Sequence, residues 1–532
     1  MTFASFSRVA GALLLTTSLA ACATFAPKSL SERIEGHVTY FADDALKGRD
    51  TGTEGFALAA DYVSTFYQRA GIEPTADGYR QAVPLQDFDL NTLDGSVEIT
   101  LDGEALELTK GEDFFPLTPT EGLGELEVAG EGGLVFIGHG IYAPTLGIND
   151  YEGVDVEGKI VLALTGAPAI DDNPSLVHLR RFDVKRKEAF ERGAVGFIRI
   201  DPNDNMIGAF TRFTGREGAS QMAIGDGLDV SRPTAILGVE PTKTLFDASD
   251  RDFDEVVADA GEGTHVSFAI NATASMVSKV DAAPVDAFNV VGIIPGTDPE
   301  LAHEAVILTA HLDHIGENDD GDPETDDINN GALDNASGSA IILEVARTIA
   351  RRGDNRRTVI VAALTAEEKG LLGAAHLARN VDQLGYEPVA NVNIDMPVLV
   401  YPLNDIIAFG AEYSSMGPVF NEVAAEVDII ATPDPLPQLS LFVRSDHYRF
   451  VQEGIPSLFL FNGMKDEGQA NFEAFMATHY HRPSDDLNLP INWDDAAKFA
   501  NITTGLVSRI ANDDDAPTWN EGVVFAKEQP EG

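Results

Sequence analysis

Several short stretches of this 532-residue chain set metal-binding and proton-moving side chains at the ends of apolar runs. His311 and Asp313 follow Ala305 to Ala310, Glu367 and Glu368 follow Thr358 to Leu364, and Asp395 closes Val392-Asn393-Ile394. Each apolar run reads as a buried strand, and its polar residues stand at the edge where open α/β sheets hold their ligands. Asp334 and Asn335 precede Ala336-Ser337-Gly338 and the apolar run Ile341 to Ile349, so Asp334 is expected at the mouth of a helix. His481 lies in the loop Thr478 to Asp486, just ahead of Pro483, with neighbouring carboxylates able to accept from an imidazole N–H; His479 is its competitor.

The chemistry follows from the residue types. Adjacent residues past a strand end point in different directions, so one carboxylate of Glu367-Glu368 can bind a metal while the other stands free as a proton acceptor. Asp395 would be a costly half-buried charge unless a cation satisfied it. His311, Asp334, Glu368, Asp395 and His481 supply two nitrogens and three carboxylates without sulfur, a set suited to two Zn2+ ions about 3.5 to 4 Å apart that share one carboxylate. Ser445-Asp446-His447, a polar interruption between apolar segments, is expected as pocket wall or as support behind the ligands.

The rest of the chain must position these groups. Its length predicts two domains, or one interrupted by another. With 44% hydrophobic, 23% charged and 8% aromatic residues it is a globular composition, neither disordered nor membrane-spanning. The formal net charge of -50 repels nucleic acid and anionic lipid, and favours amine-bearing ligands or a solubilising surface. Cys22 is the only cysteine, which rules out an intramolecular disulfide. Arg8, the apolar segment Val9 to Ala20 and Leu19-Ala20-Ala21-Cys22 resemble a bacterial lipoprotein signal, which implies removal of residues 1–21, lipidation of Cys22 and an outer-membrane anchor facing the periplasm.

Residues 22–95 read as helix, loop and helix that begin the main domain, with Lys47 to Gly52 no more than a glycine-punctuated turn. From 96 to 282 the texture is short alternating strands with one or two helices and no ligand cluster; His139, His178 and His265 read as structural or surface residues. This insert is expected to shape access to the site. From 283 to 512, strands alternate with helices, predicting an α/β fold with a mostly parallel sheet between helix layers, and 513–532 is an acidic tail.

The pieces HLDH at 311–314, NGALDNASG at 330–338, AEEKGLLG at 366–373, NIDM at 393–396, SDH at 445–447 and YHRPSDD at 480–486 together resemble the family-28 metallopeptidases, the co-catalytic dizinc aminopeptidases. LKGRDTGTEG at 46–55 extends the resemblance, and region 96–282 looks like the protease-associated domain inserted into many members. The resemblance implies that Asp334 bridges two zinc ions, with Glu368 and His481 completing one site and His311 and Asp395 the other. It further implies Glu367 as general base, Asp313 as partner of His311, Tyr480 as an oxyanion donor and His447 in the pocket surroundings. Pro397-Val398 and the long acidic loop Glu317 to Asp327 depart from the family pattern. The expected activity is removal of N-terminal residues from peptides with a free amine by a dizinc-activated water, with no nucleic-acid partner and membrane contact only through the lipid. A carboxypeptidase of the same family and a non-catalytic metal-binding lipoprotein are the alternatives, and nothing in the chain sets an oligomeric state.

Overall fold

The computed structural model describes residues 28–119, 124–169, 176–225, 232–318 and 325–525. Cys22 and the segment expected to be a signal lie outside the described residues, as do 319–324 of the acidic loop and 526–532 of the tail.

The apolar runs form strands. Glu304–His311 lies parallel to Thr358–Leu364 on one side and Glu387–Ile394 on the other, and Glu387–Ile394 is parallel to Ser457–Asn462. Asp405–Phe409 and Phe268–Ile294 join antiparallel at the two flanks, giving the expected mixed, mostly parallel sheet. Both faces are covered, so the strands alternate between two apolar layers. Val306, Leu308 and Ala310 pack with the helices Leu30–Phe41, Glu54–Ala70, Gly338–Arg352 and Trp493–Asn512, whereas Ala305 and Ile307 face Leu377 and Phe450. Local signals start these helices: Ser29 and Glu32 form a reciprocal capping box, Thr53 accepts from the Phe56 N–H and Asn492 from the Asp495 N–H.

The insert is joined by strands rather than by linkers. Arg80–Leu101 and Phe268–Ile294 pair antiparallel from Arg80 opposite Val290 to Leu101 opposite Ala272, so positions 96 and 282 both fall inside continuous strands. Beyond them Gly124–Phe136, Lys159–Leu164, Gly196–Ile200 and Thr234–Leu237 carry the same sheet onward around a separate core that includes Phe136, Leu162, Ile198 and Phe246. The insert has more helix than expected. Besides Phe182–Glu191 there are Leu176–Leu179, Met206–Thr214, Val239–Asp247 and Phe253–Gly261, short elements whose stability comes from packing on the sheet rather than from sequence propensity.

Candidate metal centre

Register brings the site together. His311 pairs with Leu364 and Thr309 with Asn393, so the Glu304–His311, Thr358–Leu364 and Glu387–Ile394 strands end at one edge and deliver His311, Glu367, Glu368 and Asp395 to one spot. The backbone there is strained: Ala366, Met396 and His481 have φ of 55°, 44° and 56°, each worth of order 1–3 kcal/mol that the surrounding packing must offset.

His311 Nε2 lies 3.3 Å from Asp334 Oδ1 and 3.0 Å from Asp395 Oδ1. His481 Nε2 lies 3.3 Å from Asp334 Oδ2 and 3.1 Å from Glu368 Oε2. Donors around a tetrahedral ion with bonds of about 2.0–2.1 Å are separated by roughly 3.3 Å, so both groups have the spacing of ligands. The donor set fits zinc, and the surroundings are crowded with buried carboxyl groups: Asp446 is fully buried near Asp395 and Asp313, with neither oxygen hydrogen-bonded among the described residues, and burial pushes its pKa well up. His479 turns away to Ser484.

The electrostatics describe the same crowding. Burial opposes charge on His311, but Asp395 and Glu367 outweigh it and raise its pKa well above the ordinary value. His481 is likewise raised to about 10, burial being overcome by Asp334 and Glu368. Glu367 is pushed well up by burial and by Asp395 and Glu368. Its carboxylate has no hydrogen-bond partner among the described residues, and it lines a pocket with Asp334, Asp395 and Tyr480 against Met396, Phe459, Phe461, Phe472 and Met476. Arg444, exposed and without an acidic partner among the described residues, lines the same pocket. The Tyr480 ring stacks on His481 at 3.8 Å, and burial and the carboxylates raise its hydroxyl's pKa.

The residues behind the ligands are held in different ways. Asp313 sits beside His311, whose Nδ1 lies 3.0 Å from its backbone carbonyl and 4.0 Å from its carboxylate; the carboxylate accepts the Glu367 and Glu368 N–H groups at 3.1 and 3.3 Å. Its burial raises its pKa to about 6. Asp485 accepts not from an imidazole but from the Leu333 and Asp334 N–H groups, both at 3.0 Å, and so fixes Asp334. His447 is enclosed between Phe442 and Phe459 with neither ring nitrogen partnered, and burial lowers its pKa to about 3; it backs the pocket wall, whose lining residue there is Ser445.

Other positions hold the site together through the backbone. Arg49, in the glycine-punctuated loop Lys47 to Gly52, is 1% exposed and donates to the carbonyls of Leu312, Phe41, Asn330 and Gly331, clamping the His311 and Asp334 segments together. Thr51 donates to Asp313 and accepts from the Ala366 N–H. Asn335 donates to the Ile394 carbonyl and accepts from the Met396 and Gly338 N–H groups, tying the Asp334 turn to the Asp395 strand. The HLDH motif does carry a further signal: its second histidine, His314, is also at the site, 2.7 Å from Glu368 Oε1.

This sheet edge defines a metal-dependent hydrolase. Residues 289–507 match the model of peptidase family M28; the catalytic half of the chain belongs to that family, and the protein is a metallopeptidase. The chain is 25% identical over 461 residues to the probable lipoprotein aminopeptidase LpqL of Mycobacterium tuberculosis, covering 83% of this chain and 76% of that protein. It is 26% identical to leucine aminopeptidase 1 of Trichophyton rubrum, over 42% of this chain and 58% of that one. Among solved structures, the aminopeptidase from Aneurinibacillus sp. strain AM-1 aligns with a TM-score of 0.43 at 19% identity, over 93% of this chain and 95% of that one.

Proposed function

We propose that the protein is a zinc aminopeptidase using two ions, with Asp334 shared between them. The observation that carries this reading is the division of one carboxylate: Asp334 Oδ1 faces His311 and Oδ2 faces His481, each at 3.3 Å. His311 and Asp395 would complete one site, Glu368 and His481 the other. When bound, a zinc pair supplies Lewis acidity and brings the pKa of a coordinated water to near neutrality.

The protein's own residues do the rest. Glu367 takes a proton from the water that attacks the first peptide carbonyl, and returns it to the departing nitrogen as the C–N bond breaks. Tyr480, whose raised pKa keeps its hydroxyl protonated, donates to the carbonyl oxygen as charge develops there. The apolar pocket wall of Met396, Phe459, Phe461, Phe472 and Met476 receives the first side chain, and the surrounding carboxylates favour a free amine. Peptides with a free N-terminus are therefore the proposed substrates. A carboxypeptidase reading is favoured by one observation, Arg444 in the same pocket with no acidic partner among the described residues, because arginine is the natural partner of a terminal carboxylate.

One peptide offered free, N-acetylated and C-amidated decides between them. An aminopeptidase loses the acetylated form alone; cleavage that survives acetylation and is abolished by amidation overturns the reading in favour of the carboxypeptidase. Metal analysis should return two zinc per chain, and one tight ion without peptidase activity would identify a binding protein. We further propose export and lipid anchoring through Cys22, on the strength of the signal-like segment before it. Cys22→Ser should move the protein from the membrane to the soluble fraction, and a variant that still pellets with membranes rules this anchor out.

A further inference from the structure

His314 is fully buried, with Nδ1 2.7 Å from Glu368 Oε1 and Nε2 lacking any partner among the described residues. Glu368 thus divides its oxygens, Oε2 toward His481 at 3.1 Å and Oε1 toward His314. The seat for the ring is built into the backbone: Gly331 has a φ of +57°, and a Cβ there would come within 2.7 Å of the His314 ring. The His314 N–H donates to the Arg49 carbonyl at 3.3 Å, and its ring packs edge-on against His481 with centroids 5.6 Å apart.

The 2.7 Å contact with a carboxylate oxygen fits one tautomer of the ring. With Nδ1 unprotonated, its lone pair would face those of a carboxylate; with Nδ1 protonated, the pair is a charge-assisted hydrogen bond. The two halves of the centre are then unequal. His311 Nδ1 is against a backbone carbonyl, and Asp395 has no comparable imidazole behind it among the described residues.

We propose that His314 is a positioning residue: its Nδ1–H donates to Glu368 Oε1, so that Oε2 stays turned toward His481 and Asp334, and this sets the affinity of one of the two metal positions only. The inference rests on the two-ion reading above. Hydrogen-bonding partners behind metal ligands are typically worth about 10- to 100-fold in metal affinity.

The test uses the full chain, zinc titration with metal analysis after dialysis, and the absorption spectrum of the cobalt-substituted protein. His314→Ala removes the donor. His314→Asn restores an amide N–H near the place of Nδ1 and is a poor zinc ligand. Expected is a His314→Ala variant that keeps one ion at wild-type affinity and binds the second roughly 10- to 100-fold more weakly. The Asn variant should recover most of that loss, with wild-type cobalt band intensities once both positions are filled. Equal loss in both variants with altered cobalt bands would make His314 a ligand itself, and two ions held as tightly as in wild type would reduce it to packing; either result overturns the proposal. Wild-type stoichiometry reports on the two-ion reading and the variant-to-wild-type ratio on His314, so the two can fail separately.

Discussion

The one continuous sheet has two sets of parallel strands with buried ionisable groups at their ends, and they treat those groups in opposite ways. In the insert, Lys185 reaches the end of the Lys159–Leu164 strand and donates to the carbonyls of Leu164, at 3.0 Å, and Gly166; burial lowers its pKa to about 7. His139 Nδ1 meets the Thr165 carbonyl at 3.0 Å, and Asp150 accepts the Ile141 N–H at 2.9 Å. Backbone partners satisfy much of this set. In the catalytic half the corresponding edge sets carboxylate against carboxylate, with imidazoles between them and backbone N–H groups spent on the supporting Asp313 and Asp485. Where the fold completes its polar groups with its own backbone the result is structure. Where it withholds that completion, a cation and a substrate supply it.

The largest effect should come from Glu367, the catalytic-edge carboxylate with no hydrogen-bond partner among the described residues. Glu367→Gln is expected to keep the fold and the metal content while losing at least about two decades of kcat, the usual size of a general-base contribution. Steady-state rates alongside metal analysis check this, and a variant within a few-fold of wild type would remove Glu367 from that role.

The contrast between the two regions also explains what could be read in the sequence. Buried parallel strands are nearly unbroken apolar runs, so Thr358 to Leu364 and the carboxylates after it were legible. His311, Asp334, Glu367, Glu368, Asp395 and His481 were all picked out, and the structure gathers them at one edge. Arg49 and Thr51 were not, because a clamp made through backbone carbonyls leaves no pattern in side-chain spacing: the same residues in a surface turn would look alike. Spacing puts Asp313 beside His311, where the structure has it, but does not say that its carbonyl is the nearer group and that its carboxylate is taken by the Glu367 and Glu368 N–H groups. Insert boundaries were hard to place because no linker composition marks them; two strands simply run on from one core to the next.

A smaller effect should appear in the response to acid. Burial, reinforced for His139 by Lys185, lowers the pKa of both His139 and His178 to about 4 in the folded chain. The unfolded chain takes up those protons near the ordinary value of about 6.5, so it binds more protons between the two values. The stability these residues contribute is therefore full above pH 6.5 and is lost as pH falls toward 4, by up to about 1.4 kcal/mol per pH unit for each. Melting temperature followed over that range should fall less steeply in His139→Phe than in wild type. An unchanged slope would mean that the imidazole is already charged in the fold.

The smallest effect tests how the insert reaches the site. Asp183, on the insert helix Phe182–Glu191, lies 3.4 Å from both Arg449 Nη1 and Gln452 Nε2 on the helix His447–Gln452, while Arg181 covers the Tyr448 ring and His178 Nδ1 lies 2.6 Å from the Tyr448 hydroxyl. That helix follows directly from Arg444 and Ser445, which line the pocket, so the insert braces one wall while none of its described residues is among the metal-facing groups. Partly exposed ion pairs contribute about 1 kcal/mol or less, which converts to roughly fivefold at most. Asp183→Ala should therefore raise KM by no more than about that factor, leaving kcat and zinc content at wild-type values. A fall in kcat or in bound zinc would show instead that the brace reaches the ligands themselves, and that the two regions are less separate in function than their hydrogen bonding makes them.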